Sequence, residues 1–217
     1  MTASHQARPL RREGQRRRQQ IIEATLQLIA RDGIRAVRHR AVAAEAGVPL
    51  AATTYYFRDI GQLLRESFEH FAAQRAGSVD GVRGTIAAHL EGAQEVAGTD
   101  RTEFLAREVS DTLAGYVLGQ AGARDDRAIE LAFRHEARRD AGLRALSQEQ
   151  ERQFAEDIAS LLALVGSADP AADAQITLGV IYWLEAEAAF ADLAENEVRR
   201  VVTRHVRHML GLVERAD

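Results

Sequence analysis

Arg38, His39 and Arg40 stand together near the start of a short apolar segment, and their types suit contact with a nucleic acid. A guanidinium pairs bidentately with O6 and N7 of guanine, which makes Arg40 the first candidate for a base contact. Thr54, Tyr55 and Tyr56 add hydroxyls that suit phosphates or base edges. Leu50, Ala51 and Ala52 offer apolar contact only, for example to thymine methyls. Other groupings carry less. His205 and His208 are three apart on a helical pattern, a spacing that suits a metal, but neither a carboxylate nor a cysteine accompanies them on that face. Asp125, Asp126 and Glu130 form an acid cluster, which the dipole at a helix N-terminus favours without any ion. The chain has no cysteine, which excludes disulfides, thiolate metal sites and cysteine nucleophiles. It has no phosphate-cradling glycine loop and no serine elbow. We expect no metal, no cofactor and no catalytic residue.

The candidate contact residues need a scaffold, and the stretch 38–57, RHRAVAAEAGVPLAATTYYF, supplies one. Val42 and Ala43 give an apolar step on a short helix expected over about 39–45. Ala46-Gly47-Val48 makes a tight turn, because glycine accepts positive φ without a Cβ clash. A second short helix is expected over about 50–56. Two short helices around a glycine turn form a helix-turn-helix, whose second helix enters the major groove. A longer helix precedes the pair, with Ile21, Ile22, Ala24, Leu28 and Ile29 on one face and a stop at Asp32-Gly33.

Charge divides the chain in the same way. Residues 1–57 hold 10 Arg against 4 acidic residues, whereas residues 58–217 hold 18 Arg against 28. A basic module on an acidic body fits a protein that meets a polyanion at one end only. No apolar run approaches the roughly 20 residues that a membrane helix needs, and the basic start lacks the apolar segment of a signal peptide. We expect a soluble cytoplasmic protein without membrane contact. Residues 1–13 read as a flexible basic tail in which Arg8, Arg11 and Arg12 can reach phosphates or the minor groove.

Residues 21–64 carry a resemblance. Ile21-Ile22, Ala24, Leu26, Leu28-Ile29 and Gly33, then Val42-Ala43, Ala46-Gly47-Val48, Tyr55-Tyr56-Phe57 and Leu63-Leu64, resemble the DNA-binding domain of the tetracycline-repressor (TetR) family, with its spacing and no gap. The resemblance implies an all-α fold of about nine or ten helices: a three-helix helix-turn-helix domain over residues 14–57, then a helical bundle over residues 58–217. It places His39 and Arg40 where family members touch backbone and base edge. Three positions depart from the family. Arg38 replaces the usual Thr or Ser cap and has no side-chain acceptor to offer the helix; it is assigned to phosphate contact. Thr53 replaces an apolar packing residue and is assigned to the core face. Ile60 replaces a Lys that often holds a phosphate. The implied partners are a double-stranded, near-palindromic DNA operator, a second copy of the chain and a small-molecule effector that releases the DNA. The reading is a transcriptional repressor; the rivals are an activator or architectural DNA binder without a ligand response, and a helical enzyme.

For the body, the pattern suggests a fourth helix over about 60–77 capped by Asp59, a break at Gly77–Gly81, and helices over about 82–97, 101–120, 125–139, 147–165, 171–192 and 195–213. Ser147 with Gln150 reads as a capping box. Phe71, Phe104, Tyr116, Phe133 and Trp183 are the aromatic candidates for lining an apolar effector pocket, with His135, Glu136 and Glu185 as polar residues near them. Family members pair their last two helices across a dimer as a four-helix bundle. That resemblance assigns Ile176, Val180, Leu184 and Ala188, with Val202, Val206 and Met209, to the dimer interface.

Overall fold

The structure is a computed structural model that describes residues 7–95, 98–121, 123–191 and 193–212. Every regular element among them is helical: α1 (Ala7–Asp32), α2 (His39–Glu45), α3 (Leu50–Tyr56), α4 (Ile60–Gly92), α5 (Thr99–Ala121), α6 (Arg124–Glu136), α7 (Ala141–Leu164), α8 (Pro170–Phe190) and α9 (Glu195–Met209), with single 3-10 turns at Ile34–Ala36 and Ala93–Glu95. An N-terminal helix-turn-helix domain is followed by a helical C-terminal domain, as the sequence led us to expect.

Contacts divide the chain into two compact units. One holds the chain up to Gln74 together with Ala128–Ser147; the other holds Arg75–Arg127 and the chain from Gln148. The boundary expected at residue 57 therefore differs, because the core of the first unit takes in Leu63, Phe68 and Phe71 of α4 along with Ile129, Phe133 and Leu143. Phe68 and Phe133 meet edge to face with centroids 5.2 Å apart, a favoured aromatic geometry.

Three local expectations are corrected. The segment expected as a tail at 1–13 is helical from Ala7; Arg12 is exposed, and the side chains of Arg8 and Arg11 lie outside the described residues. The break expected at Gly77–Gly81 is absent, and α4 runs on through Gly77, Gly81 and Gly84. A glycine weakens a helix by only about 1 kcal/mol relative to Ala, which neighbouring turns with Val82 and Ile86 packed inward offset. Ser147 does not cap a helix: α7 begins six residues earlier, where Asp140 Oδ1 accepts from the backbone N–H of Leu143 at 2.7 Å.

Other ends follow their capping chemistry. Asp59 Oδ1 accepts from the Gln62 backbone N–H at 2.7 Å at the start of α4. That bond, helped by Arg58, holds the Asp59 carboxyl below its ordinary range. Asp169 caps α8 with Pro170 in its first turn, where the missing N–H costs nothing. The second unit packs α5 against both α8 and α9. Its core includes Ile86, Ala106, Val109, Ala114, Val117, Leu184, Val198, Val202 and Val206.

Candidate DNA-reading face and effector cavity

The helix-turn-helix is built from the turn outward. Gly47 has φ 62°. Its N–H donates to the Ala44 carbonyl at 3.2 Å, and the Val48 N–H donates to the Ala43 carbonyl at 3.0 Å. This pair of bonds is the Schellman closure, which satisfies the last carbonyls of α2 and aims the chain into α3. Val48 packs on the core at the same point. The Gln20 side chain donates to the Ala46 carbonyl at 2.7 Å and ties the turn to α1. Arg31 bonds Glu45 at 2.9 Å and holds the end of α1 to the end of α2.

Core residues then settle which way α3 faces. Thr53 is fully buried, and its hydroxyl donates to the Leu50 carbonyl at 2.8 Å; a threonine fits the core face because its one donor is used within the helix. Phe57 is buried too, under the guanidinium of Arg18. The opposite face is open. Leu50, Ala51, Thr54 and Tyr55 are exposed, Tyr55 to 81%, while Ala52 and Tyr56 are half-buried. Tyr55 and Tyr56 stack edge to face at 5.0 Å. Arg38 and Arg40 are exposed at the start of α2, and His39 is half-buried. Arg38 makes no side-chain cap bond, as its chemistry requires. Of the proposed contact residues, Arg38, Arg40, Leu50, Ala51, Thr54 and Tyr55 are exposed and His39, Ala52 and Tyr56 are half-buried.

α4 is tied to this head. Arg18 of α1 pairs with Glu66, and Gln62 donates to the same carboxylate at 3.0 Å. Gln19 meets His70 at 3.0 Å. The charge run Arg16-Arg17-Arg18 therefore serves in part as scaffold.

The second unit holds a cavity of about 100 Å³. Val79, Val82 and Ile86 of α4, Leu113 of α5, Ile158 of α7 and Ile181 of α8 make apolar wall. Arg75, Tyr116, Thr177 and Tyr182 add polar atoms, and Arg83 and Asp157 add a charged pair 3.6 Å apart. Behind the wall Glu185 is fully buried, with Arg127 at 2.6 Å and Arg75 at 3.3 Å. Arg75 also donates to the Tyr116 hydroxyl at 3.4 Å.

Of the aromatic residues expected to line a pocket, Tyr116 does so. Phe71 and Phe133 are instead buried in the core of the first unit. Phe104 lies in a separate hollow with Arg107 over its ring. Trp183 is 49% exposed on α8. His135 is exposed and Glu136 half-buried. Sequence reasoning missed Arg75, Arg127 and most of the aliphatic wall. Arg75 and Arg127 sit on helices whose patterns give no sign that a distant glutamate is buried between them.

The residues expected at a dimer interface also separate. Leu184, Ala188, Val202 and Val206 are buried within the chain's own core. Met209 lines the cavity. Val180 is half-buried, and Ile176 is 55% exposed. The reason is α5, which covers the inner faces of α8 and α9. His205 is half-buried against Thr177, at 2.9 Å, and His208 is exposed. Among the described residues no three His, Asp or Glu side chains gather as a metal site, and no helix is long and apolar enough to cross a membrane.

Comparison with known proteins agrees with this architecture. Residues 21–66 match the model of bacterial regulatory proteins of the tetR family, and residues 105–212 match the tetracyclin repressor-like C-terminal domain. The chain belongs to the TetR family. A TetR-family chain of this kind is a DNA-binding transcriptional regulator with a helical ligand-binding C-terminal domain. The structure is similar to a transcriptional regulator from Rhodococcus sp. Rha1, with TM-score 0.67 at 15% identity, covering 91% of this chain and 99% of that one. It is similar to a regulator from Streptomyces coelicolor A3(2), with TM-score 0.61 at 26% identity, covering 88% and 98%. It is also similar to the multidrug binding protein EbrR complexed with imidazole, with TM-score 0.55 at 27% identity, covering 87% and 94%. No curated protein matches the chain by sequence.

Proposed function

We propose that this TetR-family regulator is a repressor that binds a near-palindromic operator as a homodimer and releases it when a small, mainly apolar molecule enters the second unit. The observation that carries the reading is the exposed face of α3. Leu50, Ala51, Thr54 and Tyr55 are unburied while Thr53 and Phe57 anchor the helix from behind. Exposed aromatic and apolar side chains on a rigid short helix have no structural reason to face water, and a major groove gives them one. Arg40 supplies the strongest discrimination through guanine, and Arg38 and His39 position the head on phosphates.

The apolar cavity supports an effector, and the chain's fold similarity to EbrR, a multidrug binding protein complexed with imidazole, agrees with one. Energetically, an effector weakens operator binding only by its preference for the arrangement that does not fit DNA. Dimerisation is supported by α8, whose outward face carries Ile176, Gly179 and Trp183 toward solvent. A single reading helix spans too few base pairs for useful selectivity, so two half-sites are read together.

The test is fluorescence anisotropy with an operator obtained by selection from genomic fragments, against a scrambled duplex at two salt concentrations. Selective binding that weakens steeply with salt is expected. Arg40→Ala should lower operator affinity by about 1–3 kcal/mol and leave oligomeric state unchanged. Failure to select any fragment at low salt would overturn the DNA-binding assignment, and unchanged affinity in Arg40→Ala would overturn the assigned contacts.

A further inference from the structure

We propose that α3 selects its operator through the 5-methyl groups of pyrimidines, with Leu50 as the side chain that senses them; this rests on the DNA-binding reading above and names what the helix recognises. The chemistry of the exposed face decides it. Leu50 is 50% exposed, between Val48 and Ala52, which pack on the core of the first unit. Thr54 follows Leu50 by four residues and Tyr55 follows Ala51 by four, so each pair shares one face of the helix. All four of these residues are exposed. Two threonine hydroxyls of α3 are spent within the helix. Thr53 donates to the Leu50 carbonyl at 2.8 Å, and Thr54 donates to the Ala51 carbonyl at 3.2 Å. Toward DNA, Thr54 therefore offers lone pairs and a methyl group rather than a proton. The first turn of α3, Leu50-Ala51-Ala52, meets base edges with hydrocarbon.

In the major groove each base edge displays nitrogen or oxygen atoms, and thymine adds a methyl group. An aliphatic side chain laid over a polar edge strips it of water and returns no hydrogen bond, which is unfavourable. Laid over a methyl group, the same side chain removes apolar surface from water on both partners. Leu50 therefore favours thymine over cytosine by the methyl group itself. It follows that 5-methylcytosine, which carries a methyl group at the same ring position, is accepted better than cytosine. Arg40 in the first turn of α2 supplies the donors that the first turn of α3 lacks. The two short helices then divide the reading, α2 taking guanine acceptors and α3 taking pyrimidine methyl groups.

Fluorescence anisotropy of the full chain with the selected operator, its thymines replaced one at a time by deoxyuridine, tests this. The replacement removes the methyl group and leaves the pairing atoms in place. At one position or more the parent chain should bind about three- to fivefold more weakly, the worth of one buried methyl group. With a cytosine–guanine pair at that position, methylating the cytosine at C5 should strengthen binding by about the same factor. Leu50→Ala puts a better helix former at an exposed site, so the fold is kept. That variant should bind thymine and deoxyuridine equally there. If deoxyuridine at every thymine leaves affinity unchanged while a scrambled duplex is still rejected, this proposal falls and the operator reading stands. Equal binding of cytosine and 5-methylcytosine at the sensitive position would also overturn it. If Leu50→Ala loses as much affinity on deoxyuridine replacement as the parent does, the methyl group is felt elsewhere and the assignment to Leu50 is wrong. If the parent does not distinguish the selected operator from a scrambled duplex, both readings fall.

Discussion

Arg127 Nη2 stands 2.6 Å from a carboxylate oxygen of Glu185, and their side chains are 4% and 0% exposed. The pair joins the start of α6 to the middle of α8 within the second unit. Burial of two charges is expensive, so the pair adds little net stability as a unit, but removal of one partner strands the other. Arg127→Met is expected to destabilise the second unit by about 3–5 kcal/mol. Glu185→Leu in that background removes one buried charge but takes a carboxylate from Arg75, 3.3 Å away, so much of the loss should be recovered only when Arg75→Met is added. Urea titration followed by circular dichroism checks both. A single variant within 1 kcal/mol of the parent, on the order of a surface substitution, would show that the buried pair is not held as described.

Trp183 and Leu184 are neighbours on α8 with opposite fates. Leu184 is fully buried under α5, and Trp183 is half in solvent. Leu184→Arg should therefore unfold the second unit by burying an unpaired charge. Trp183→Glu should leave the helix content and melting of the monomer unit intact and shift sedimentation from dimer toward monomer, since Trp is the residue type most enriched at energetic centres of interfaces. A Trp183→Glu protein that sediments as the parent does would move the dimer surface elsewhere.

How much was legible in sequence differs between the two units, and the reason is local against distant information. The helix-turn-helix was legible to the residue: α2 at 39–45 and α3 at 50–56 coincide with the structure, because Gly47 and the Schellman bonds around it are a local signal. The core-face assignment of Thr53 came from the family resemblance, which has an apolar packing residue there, and Thr53 is buried. The cavity was not legible. Its walls come from α4, α5, α7, α8 and α9, and no short window of sequence reveals which faces of five helices converge. The interface residues Leu184, Ala188, Val202 and Val206 were misplaced for a related reason. α8 is apolar on most sides, so periodicity could not say which apolar face α5 would cover.

The glycines of α4 show where a local signal misleads. Gly77 and Gly81 read as a break, yet they and Gly84 lie within a continuous helix and are exposed. A Cβ placed at any of them meets nothing within 4 Å. The residue is thus not required by close packing, and its backbone freedom is lost on folding for no contact in return. Gly77→Ala, Gly81→Ala and Gly84→Ala should each stabilise the chain by about 0.5–1 kcal/mol. Thermal melting of the single and triple variants measures it. A triple variant that melts below the parent would mean that these positions leave the helical region in solution.

His205 supplies a pH prediction. Its ring is half-buried beside Thr177, and burial lowers its pKa below the ordinary 6.5. Asp173 opposes that shift, and His208 adds to it. Thr177 donates its proton to the Asp173 carbonyl at 2.7 Å, so His205 Nε2 is the donor in the 2.9 Å contact, which the neutral Nε2–H tautomer satisfies. The sign follows from linkage. Between the folded and unfolded pKa values the unfolded chain binds more protons, so stability rises with pH there. The contribution of His205 is full above about pH 6.5 and is lost as pH falls through the folded value. Unfolding free energy measured at several pH values from about 5 to about 7.5 should therefore increase with pH. His205→Gln, which keeps a donor for Thr177 without a titrating ring, should flatten that part of the slope. An equal slope in parent and variant would assign the pH dependence to other groups.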